Sequence, residues 1–320
     1  MKQKTQQQQQ RAKIWIILVA LWVINGSSFL AIKISIDTIP PLLSGGIRFL
    51  IAGSILYSVY LLRKSHNNKN EEHIGWQQWK DTIILGALLL LGGQGLLTWG
   101  TQYLASGISG LLNSTIPLWV AILALLLFKK HMTKLTIIGL AAGFSGLMLL
   151  VAPSLRSGEL DPIGTAALII SSIFWALGSL YSSRAKLPMS MLASSSMLMI
   201  TGGLIITGVS FALGEYRDFD LLEISGQSLA ALIYLIVIIT IVGFTDFYWL
   251  LRVTTPSLAN TFAYVSPVIA VALGALLLHE PVTLMTIIAM SVILVGVALM
   301  VTTTGKEDKK EKEKKKEIQK

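Results

Sequence analysis

Long apolar runs alternate with short polar connections along nearly the whole chain. The runs cover residues 14–34, 42–62, 82–101, 107–128, 134–152, 163–183, 190–213, 228–250, 257–278 and 282–303. A helix needs roughly 20 residues to cross the hydrocarbon core of a bilayer. The pattern therefore predicts an all-α polytopic membrane protein with ten transmembrane helices. The polar residues 1–13 and the lysine-rich residues 304–320 are expected to form disordered tails.

A proline-containing apolar run occurs twice, at a distance of 150 residues. Residues 103–151 align without a gap on residues 253–301, with 11 identities in 49 positions, and Pro117 falls on Pro267. The same offset pairs Gly53 with Gly203, Gly93 with Gly243, and Trp99 with Trp249. We interpret this as two homologous halves, residues 14–152 and residues 163–303.

Charge predicts how the chain is oriented in the membrane. Only 13% of the residues are charged and 53% are hydrophobic, whereas soluble domains carry about 25% charged residues. If both termini are cytoplasmic, 22 of the 26 Lys and Arg residues lie inside and three, Lys33, Arg156 and Arg217, lie outside. The remaining one, Arg48, lies within the second run, where we expect it to pair structurally. Lys33 is expected to extend from the end of its span toward the membrane surface. This is the distribution of the positive-inside rule. It also accounts for the net charge of +9 without a nucleic-acid partner.

An odd number of spans in each half inverts the second half relative to the first. Five spans per half give two inverted five-helix repeats, an arrangement common among secondary transporters. The two prolines would interrupt helices near the interface of the repeats. Such an interruption is tolerated in lipid only where protein or water satisfies the freed backbone groups.

Three stretches resemble EamA-type members of the drug/metabolite transporter superfamily. They are NGSSFLAIKISIDTIPPLLSGGIRFLIAG from Asn25, FWALGSLYSSR from Phe174 to Arg184, and TPSLANTFAYVSPVIAVALGALLLHEPVT from Thr255 to Thr283 with the acidic Glu280. The resemblance covers nearly all of residues 14–303. It departs at Asn25, where tryptophan is usual, and at Lys130, where the first half often has an acidic residue.

The resemblance implies a ten-helix exporter of small metabolites, amino acids or drugs in the cell (plasma or inner) membrane. It specifies neither the substrate nor the oligomeric state. Two alternatives stay open, a channel-like facilitator and an intramembrane enzyme acting on lipid. The chain has no cysteine, no HExxH, no Walker loop and no nucleophile elbow, so we expect no enzyme, no cofactor and no metal site.

Polar side chains at helical spacing are the candidates for the substrate path. Polar groups are costly in lipid unless they face the bundle interior. The candidates are Asn25, Gln94, Thr98, Asn113, Ser114, Pro117, Trp175, Asn260, Tyr264 and Pro267. The competing interpretation is that these small polar residues form hydrogen bonds between helices and never touch substrate.

Asp246 is the candidate proton carrier. The chain has no nucleotide site, so transport against a gradient would use an ion or an exchanged solute. Asp246 is the only acidic residue within the ten apolar runs, and an ionisable residue inside the membrane suggests function. The alternative is a structural or solvated role, because Arg252 lies six residues on and the position 150 residues earlier is Leu96.

The charge distribution makes a prediction about topology. The chain is free of cysteine, so single cysteines can be introduced without background. We expect a membrane-impermeant thiol reagent to label Arg217→Cys in intact cells and to spare Asn68→Cys until the cells are permeabilised. The reverse labelling pattern would show that the orientation is wrong.

Overall fold

The computed structural model describes residues 2–66, 74–128, 134–157, 160–217, 219–243, 246, 250, 262–296 and 298–299. Regular structure in these residues is helical throughout, and no strand occurs among them. The predicted all-helical class is therefore confirmed for this part of the chain.

The helical segments of the described residues follow the order of the apolar runs. They are α1 (Lys2–Ser35), α2 (Pro41–His66), α3 (Trp76–Thr101), α4 in two parts (Ser106–Asn113 and Ile116–Phe128), α5 (Lys134–Ser157), α6 (Pro162–Ser182), α7 (Met191–Leu213), α8 (Gly226–Val242), α9 (Phe262–Leu277) and α10 (Leu284–Gly296). Within the described ranges, six helices (α1–α4, α6 and α7) contain stretches long and apolar enough to cross a membrane, and the apolar helices within α5 and α8–α10 are shorter. The chain is a polytopic membrane protein.

Helix α1 begins twelve residues before the first apolar run. The backbone from Lys2 onward is helical, whereas the sequence predicts an unstructured tail over residues 1–13. Glutamine, lysine and arginine are good helix formers. Extending an existing helix is also far easier than nucleating a new one, so the apolar part of α1 can propagate into this polar stretch. The predicted tail at residues 304–320 lies outside the described residues.

The two prolines have different effects on their helices. Helix α4 stops at Asn113 and restarts at Ile116, so Pro117 is the second residue of the new helical part, where its missing N–H removes no helical bond. Pro267 lies inside the continuous helix α9. The interruption predicted for the first half is therefore present at residues 114–115, and that of the second half is absent among the described residues.

Helices α3 and α8 each contain a wider π-helical segment. These segments cover Gly86–Gly95 in α3 and Leu235–Val242 in α8, and they overlap when the numbering is shifted by 150. Gly92 and Gly93 of the GGQG sequence lie against the rings of Phe174 and Trp175 of α6, where an added Cβ atom would come within 2.6–2.8 Å of ring carbons. The glycines therefore allow close packing of α3 on α6.

The interface between α2 and α7 is the most extensive in the bundle, and it depends on two glycines. A Cβ on Gly53 would lie 2.9 Å from the backbone nitrogen of Ile200, and a Cβ on Gly203 would lie 2.9 Å from that of Leu50. The two contacts are reciprocal at the offset of 150. Gly146 and Gly296 make a second reciprocal pair where α5 crosses α10, against Ile293 and Gly143 respectively.

The α2–α7 contact generates a prediction about stability. Gly203→Ala places a methyl group against the backbone of Leu50, and such overpacking costs about 1–3 kcal/mol. We expect a lower unfolding temperature in detergent, measured by intrinsic fluorescence. Gly208→Ala is the matched control on the same helix, because nothing lies within 4 Å of its added Cβ. Equal effects of the two substitutions would contradict the proposed role of close packing.

Candidate substrate path

Helices α1, α4 and α9 meet in close contact at small residues. Gly110 of α4 lies between Phe29 of α1 and Ala270 of α9, and an added Cβ would be 2.9 Å from the Ala270 side chain. Gly26 of α1 lies still closer to α9, because an added Cβ would be 2.5 Å from the Ile269 side chain. This packing brings together three of the helices on which the sequence places candidate residues.

The two candidates on α3 differ in how their polar groups are satisfied. Thr98 is buried, and its hydroxyl donates to the carbonyl oxygen of Gln94 at 2.8 Å. Gln94 is half-buried in the π-helical segment. Its side chain makes no hydrogen bond to any described residue. Of the two, Gln94 is therefore the one that keeps donors and an acceptor available for a ligand.

The break in α4 carries three candidates. Asn113 ends the first helical part, half-buried, with no side-chain hydrogen bond to the described residues. The hydroxyl of Ser114 is buried and donates to the carbonyl oxygen of Leu111 at 2.7 Å. Pro117 follows one turn later and is half-buried. The break therefore presents the amide of Asn113, whereas Ser114 is satisfied by its own helix.

Asn25 and Trp175 occupy equivalent positions in the two halves and have different surroundings. The Asn25 amide donates to the carbonyl oxygen of Leu21, one turn earlier in α1, at 2.9 Å. The Trp175 ring lies against Gly93, the residue before Gln94. Trp175 thus lies at the contact between α3 and α6, against the residue that precedes Gln94.

The four remaining candidates belong to the second half of the chain. Asn260 lies outside the described residues, and Tyr264 is described by its helical backbone in α9. Pro267 is buried, and the neighbouring Ser266 has an enclosed hydroxyl with no partner among the described residues. Asp246 is half-buried, four residues beyond the last residue of α8.

Acidic residues within the bundle are not limited to Asp246. Helix α3 begins at Trp76, six residues before the predicted run, so it includes the buried Asp81. The Asp81 carboxylate accepts hydrogen bonds from the Tyr181 hydroxyl at 2.9 Å and from the backbone nitrogen of Lys186 at 2.7 Å. It therefore ties α3 to the end of α6.

Arg48 is a buried basic residue that sequence reasoning assigns to structural pairing. Its exposed fraction is 7%, and its Nε donates to the Thr240 hydroxyl of α8 at 2.8 Å. The guanidinium carbon lies 4.9 Å from the centre of the neighbouring Phe49 ring. No acidic side chain pairs with it among the described residues. The sequence does mark Arg48 as unusual. Among the basic residues inside the apolar runs, Arg48 alone is not near a loop.

Two charged side chains hold the turn between α3 and α4. Lys33 of α1 donates from Nζ to the carbonyl oxygens of Thr101, Gln102 and Leu104, at 2.8–3.0 Å. Glu280, just after α9, accepts from the backbone nitrogens of Ser106 and Gly107, at 2.6 and 3.1 Å, and from the Ser106 hydroxyl at 2.9 Å. A cation at a helix C-terminus and an anion at a helix N-terminus both complement the helix dipole.

These contacts correct the interpretation of Lys33 as an end residue that only reaches toward the membrane surface. A third contact of the same kind holds α2. The Glu215 carboxylate, beyond the end of α7, accepts from the backbone nitrogens of Leu42 and Leu43 and from the Ser210 hydroxyl. Helix ends from different parts of the chain are thus joined through carboxylate–amide hydrogen bonds.

The described residues therefore combine a helical membrane bundle, an interrupted helix and a few polar groups that have no partner among them. Such a combination defines a polytopic membrane transporter. The signature of the EamA-like transporter family matches residues 11–152 and again residues 162–302. The chain belongs to the EamA-like transporter family.

Similar proteins agree with this assignment. A protein of Escherichia coli (strain K12), named "Uncharacterized inner membrane transporter YedA", is 34% identical over 290 residues, which cover 90% of each chain. The "Uncharacterized transporter YoaV" of Bacillus subtilis (strain 168) is 23% identical over 89% of this chain and 95% of its own. One solved crystal structure of a protein has the same fold, with a TM-score of 0.59 and 16% identity over 91% of this chain and 97% of that one.

Glu280 generates a prediction about the α3–α4 turn. Glu280→Ala leaves the backbone nitrogens of Ser106 and Gly107 without their acceptor, and hydrogen bonds to charged groups contribute about 1.5–3 kcal/mol. We expect a clear fall in unfolding temperature. The control is Glu223→Ala, because Glu223 is exposed and its side chain bonds to no described residue. If both variants unfold at the wild-type temperature, the capping role of Glu280 is excluded.

Proposed function

We propose that this protein is a secondary transporter that exports small metabolites or amino-acid-like compounds across the inner membrane by alternating access. Its ten transmembrane helices would form two inverted repeats, residues 14–152 and 163–303, with both termini in the cytoplasm. The observation that carries the proposal is the reciprocity of the glycine contacts. Gly53 meets Ile200 as Gly203 meets Leu50, and Gly146 meets Ile293 as Gly296 meets Gly143.

The wider packing pattern supports the same proposal. Helix α1 packs against α8 and α9, while α6, its counterpart in the second half, packs against α3 and α4. The π-helical segments fall at overlapping positions of α3 and α8. A bundle built from two equivalent and inverted units has two equivalent conformations of opposite orientation. Exchange between them would open a central site to each side in turn.

The proposed path is lined by Asn25, Gln94, Thr98, Asn113, Ser114, Pro117, Trp175, Asn260, Tyr264 and Pro267. Within this set, Gln94 and Asn113 are supported most strongly, because both are half-buried and keep unbonded amides in the described part of the bundle. Thr98 and Ser114 are satisfied within their own helices, which is the arrangement expected of residues with a structural role.

Reconstitution into liposomes tests the proposed function. Purified full-length protein is supplied with a mixed pool of labelled metabolites, and solutes are measured on both sides. We expect specific solutes to exchange across the membrane and to accumulate against a gradient. Equilibration without accumulation would support a channel-like facilitator instead. Chemical conversion without translocation would support an intramembrane enzyme.

Energy coupling gives a further prediction, centred on Asp246. We propose that Asp246 carries the coupled proton, because it is half-buried in the bundle and an intramembrane acid marks a proton route in many transporters. Asp246→Asn in liposomes with an imposed pH gradient should lose gradient-driven accumulation and retain solute exchange. Glu223→Gln, at an exposed position, serves as the control. Unchanged accumulation in Asp246→Asn would remove Asp246 from the coupling mechanism.

A further inference from the structure

Arg48 lies deep in the bundle, between α2 and α8. It is seven residues from the first residue of α2, which places its Cα about 10 Å along the helix axis at 1.5 Å per residue. The hydrocarbon core is about 30 Å thick, so an α2 that begins at its edge places the Arg48 Cα about one third of the way across. Its partner Thr240 belongs to the π-helical segment of α8, and π-helical turns frequently occur at functional sites.

Among the described residues, no acidic side chain neutralises the positive charge of Arg48. Among the described residues, its hydrogen-bond partner is the neutral hydroxyl of Thr240, and its remaining close contact is the ring of Phe49. The terminal groups Nη1 and Nη2 make no hydrogen bond to any of these residues. A charge in a low-dielectric interior is costly unless it is paired, so an anion bound beside Arg48 would be stabilising.

The terminal amino groups of Arg48 are not completely enclosed. The enclosed side-chain atoms without a partner in the described part of the chain are Ser109 Oγ, Thr207 Oγ1 and Ser266 Oγ. Nη1 and Nη2 of Arg48 also have no partner in the described part of the chain, but they do not belong to this enclosed set. Part of their surface is therefore left open by the described residues. They can therefore receive water or a ligand.

Packing alone does not explain an arginine at this position. The equivalent position of the second half is Leu198, on the helix that forms the reciprocal interface with α2. A link between α2 and α8 through Thr240 needs only one neutral donor. The five N–H donors of a guanidinium exceed this need and match the paired oxygens of an oxyanion.

We propose that Arg48 is the anion-binding residue of the substrate path and that it holds the carboxylate of a small amino acid or organic acid. This inference rests on the proposed transport function and adds the chemical class of its substrate. Arg48 and Asp81 are the charged residues among the buried side chains described, and Asp81 is already bonded to α6 and to the residues that follow it. A single fixed positive charge matches a carboxylate, which carries a single negative charge.

Binding and transport are measured with matched pairs of solutes. The first pool holds alanine, leucine, phenylalanine, glutamate, lactate and succinate, and the second holds the corresponding amides, which lack the carboxylate and keep the shape. The unfolding temperature of the purified full-length protein is recorded with each solute. Uptake into liposomes is then measured for the solutes that stabilise it. Arg48→Met removes the charge, Arg48→Lys keeps it, and Arg63→Met is the control at an exposed position on the same helix.

We expect one or more carboxylates, and none of the amides, to raise the unfolding temperature of the wild-type protein and of Arg63→Met. Arg48→Met should lose this shift and transport the same solute about tenfold more slowly or worse, because the ligand charge is then buried without a partner. Without solute, Arg48→Met should unfold at the wild-type temperature or above it, since an unpaired buried charge has been removed.

Three results would overturn the inference. They are equal stabilisation of the wild-type protein by the amides, no stabilisation by the carboxylate pool, and a carboxylate shift in Arg48→Met as large as in the wild type. If Arg48→Met fails to fold, Arg48→Lys decides, because an ammonium cannot bind a carboxylate as a planar fork, and an unchanged affinity would contradict the proposal. Liposomes that accumulate no solute would contradict transport, whereas the unfolding temperatures would still test binding at Arg48.

Discussion

Every polar group between the helices of this protein needs a partner within the protein, because hydrocarbon offers none. Most serine and threonine hydroxyls meet this requirement locally, by donating to a carbonyl oxygen one turn earlier, as Thr101 does to Leu97 and Ser172 to Leu168. Backbone amides at the starts of helices meet this requirement by donating to charged side chains that are distant in sequence. The backbone amides at the start of α4 bond to Glu280, and those at the start of α2 bond to Glu215.

Against this background of satisfied groups, some polar groups lack a partner among the described residues, and under the proposed function these are candidates for solute binding. Gln94, Asn113 and the amino groups of Arg48 lack partners among the described residues, although all three side chains are partly or fully buried. Leaving such groups unbonded lowers stability. Their presence is understandable if water or a polar substrate occupies the space between the helices during part of a transport cycle.

Much of the fold could be predicted because it depends on local sequence. The apolar runs predict the helices, and Pro117 predicts the break in α4. The offset of 150 also pairs glycines that make reciprocal contacts in the structure, such as Gly53 and Gly203.

The features that sequence reasoning missed depend on distant contacts. Lys33 and Glu280 are far apart in sequence from the α3–α4 turn, so neither periodicity nor spacing reveals the bonds that hold it. Apolar runs also understate helices that begin with polar residues. Asp81 of α3 lies outside the run at residues 82–101, and the helical backbone of α1 begins at Lys2, before the run at residues 14–34. Which residues line the path is harder still to predict from sequence. A hydroxyl that bonds to its own helix and a hydroxyl that bonds to a substrate belong to the same residue types.

The bond between Glu280 and the start of α4 links the second half of the chain to the first, and its donors include two backbone amides. A backbone amide has the same chemistry whatever residue carries it. Substitution of Glu280 or Ser106 can therefore change the strength of this contact, whereas substitution can hardly alter the two backbone amides. If the two halves separate during transport, all three of these hydrogen bonds break together, because one carboxylate accepts them all.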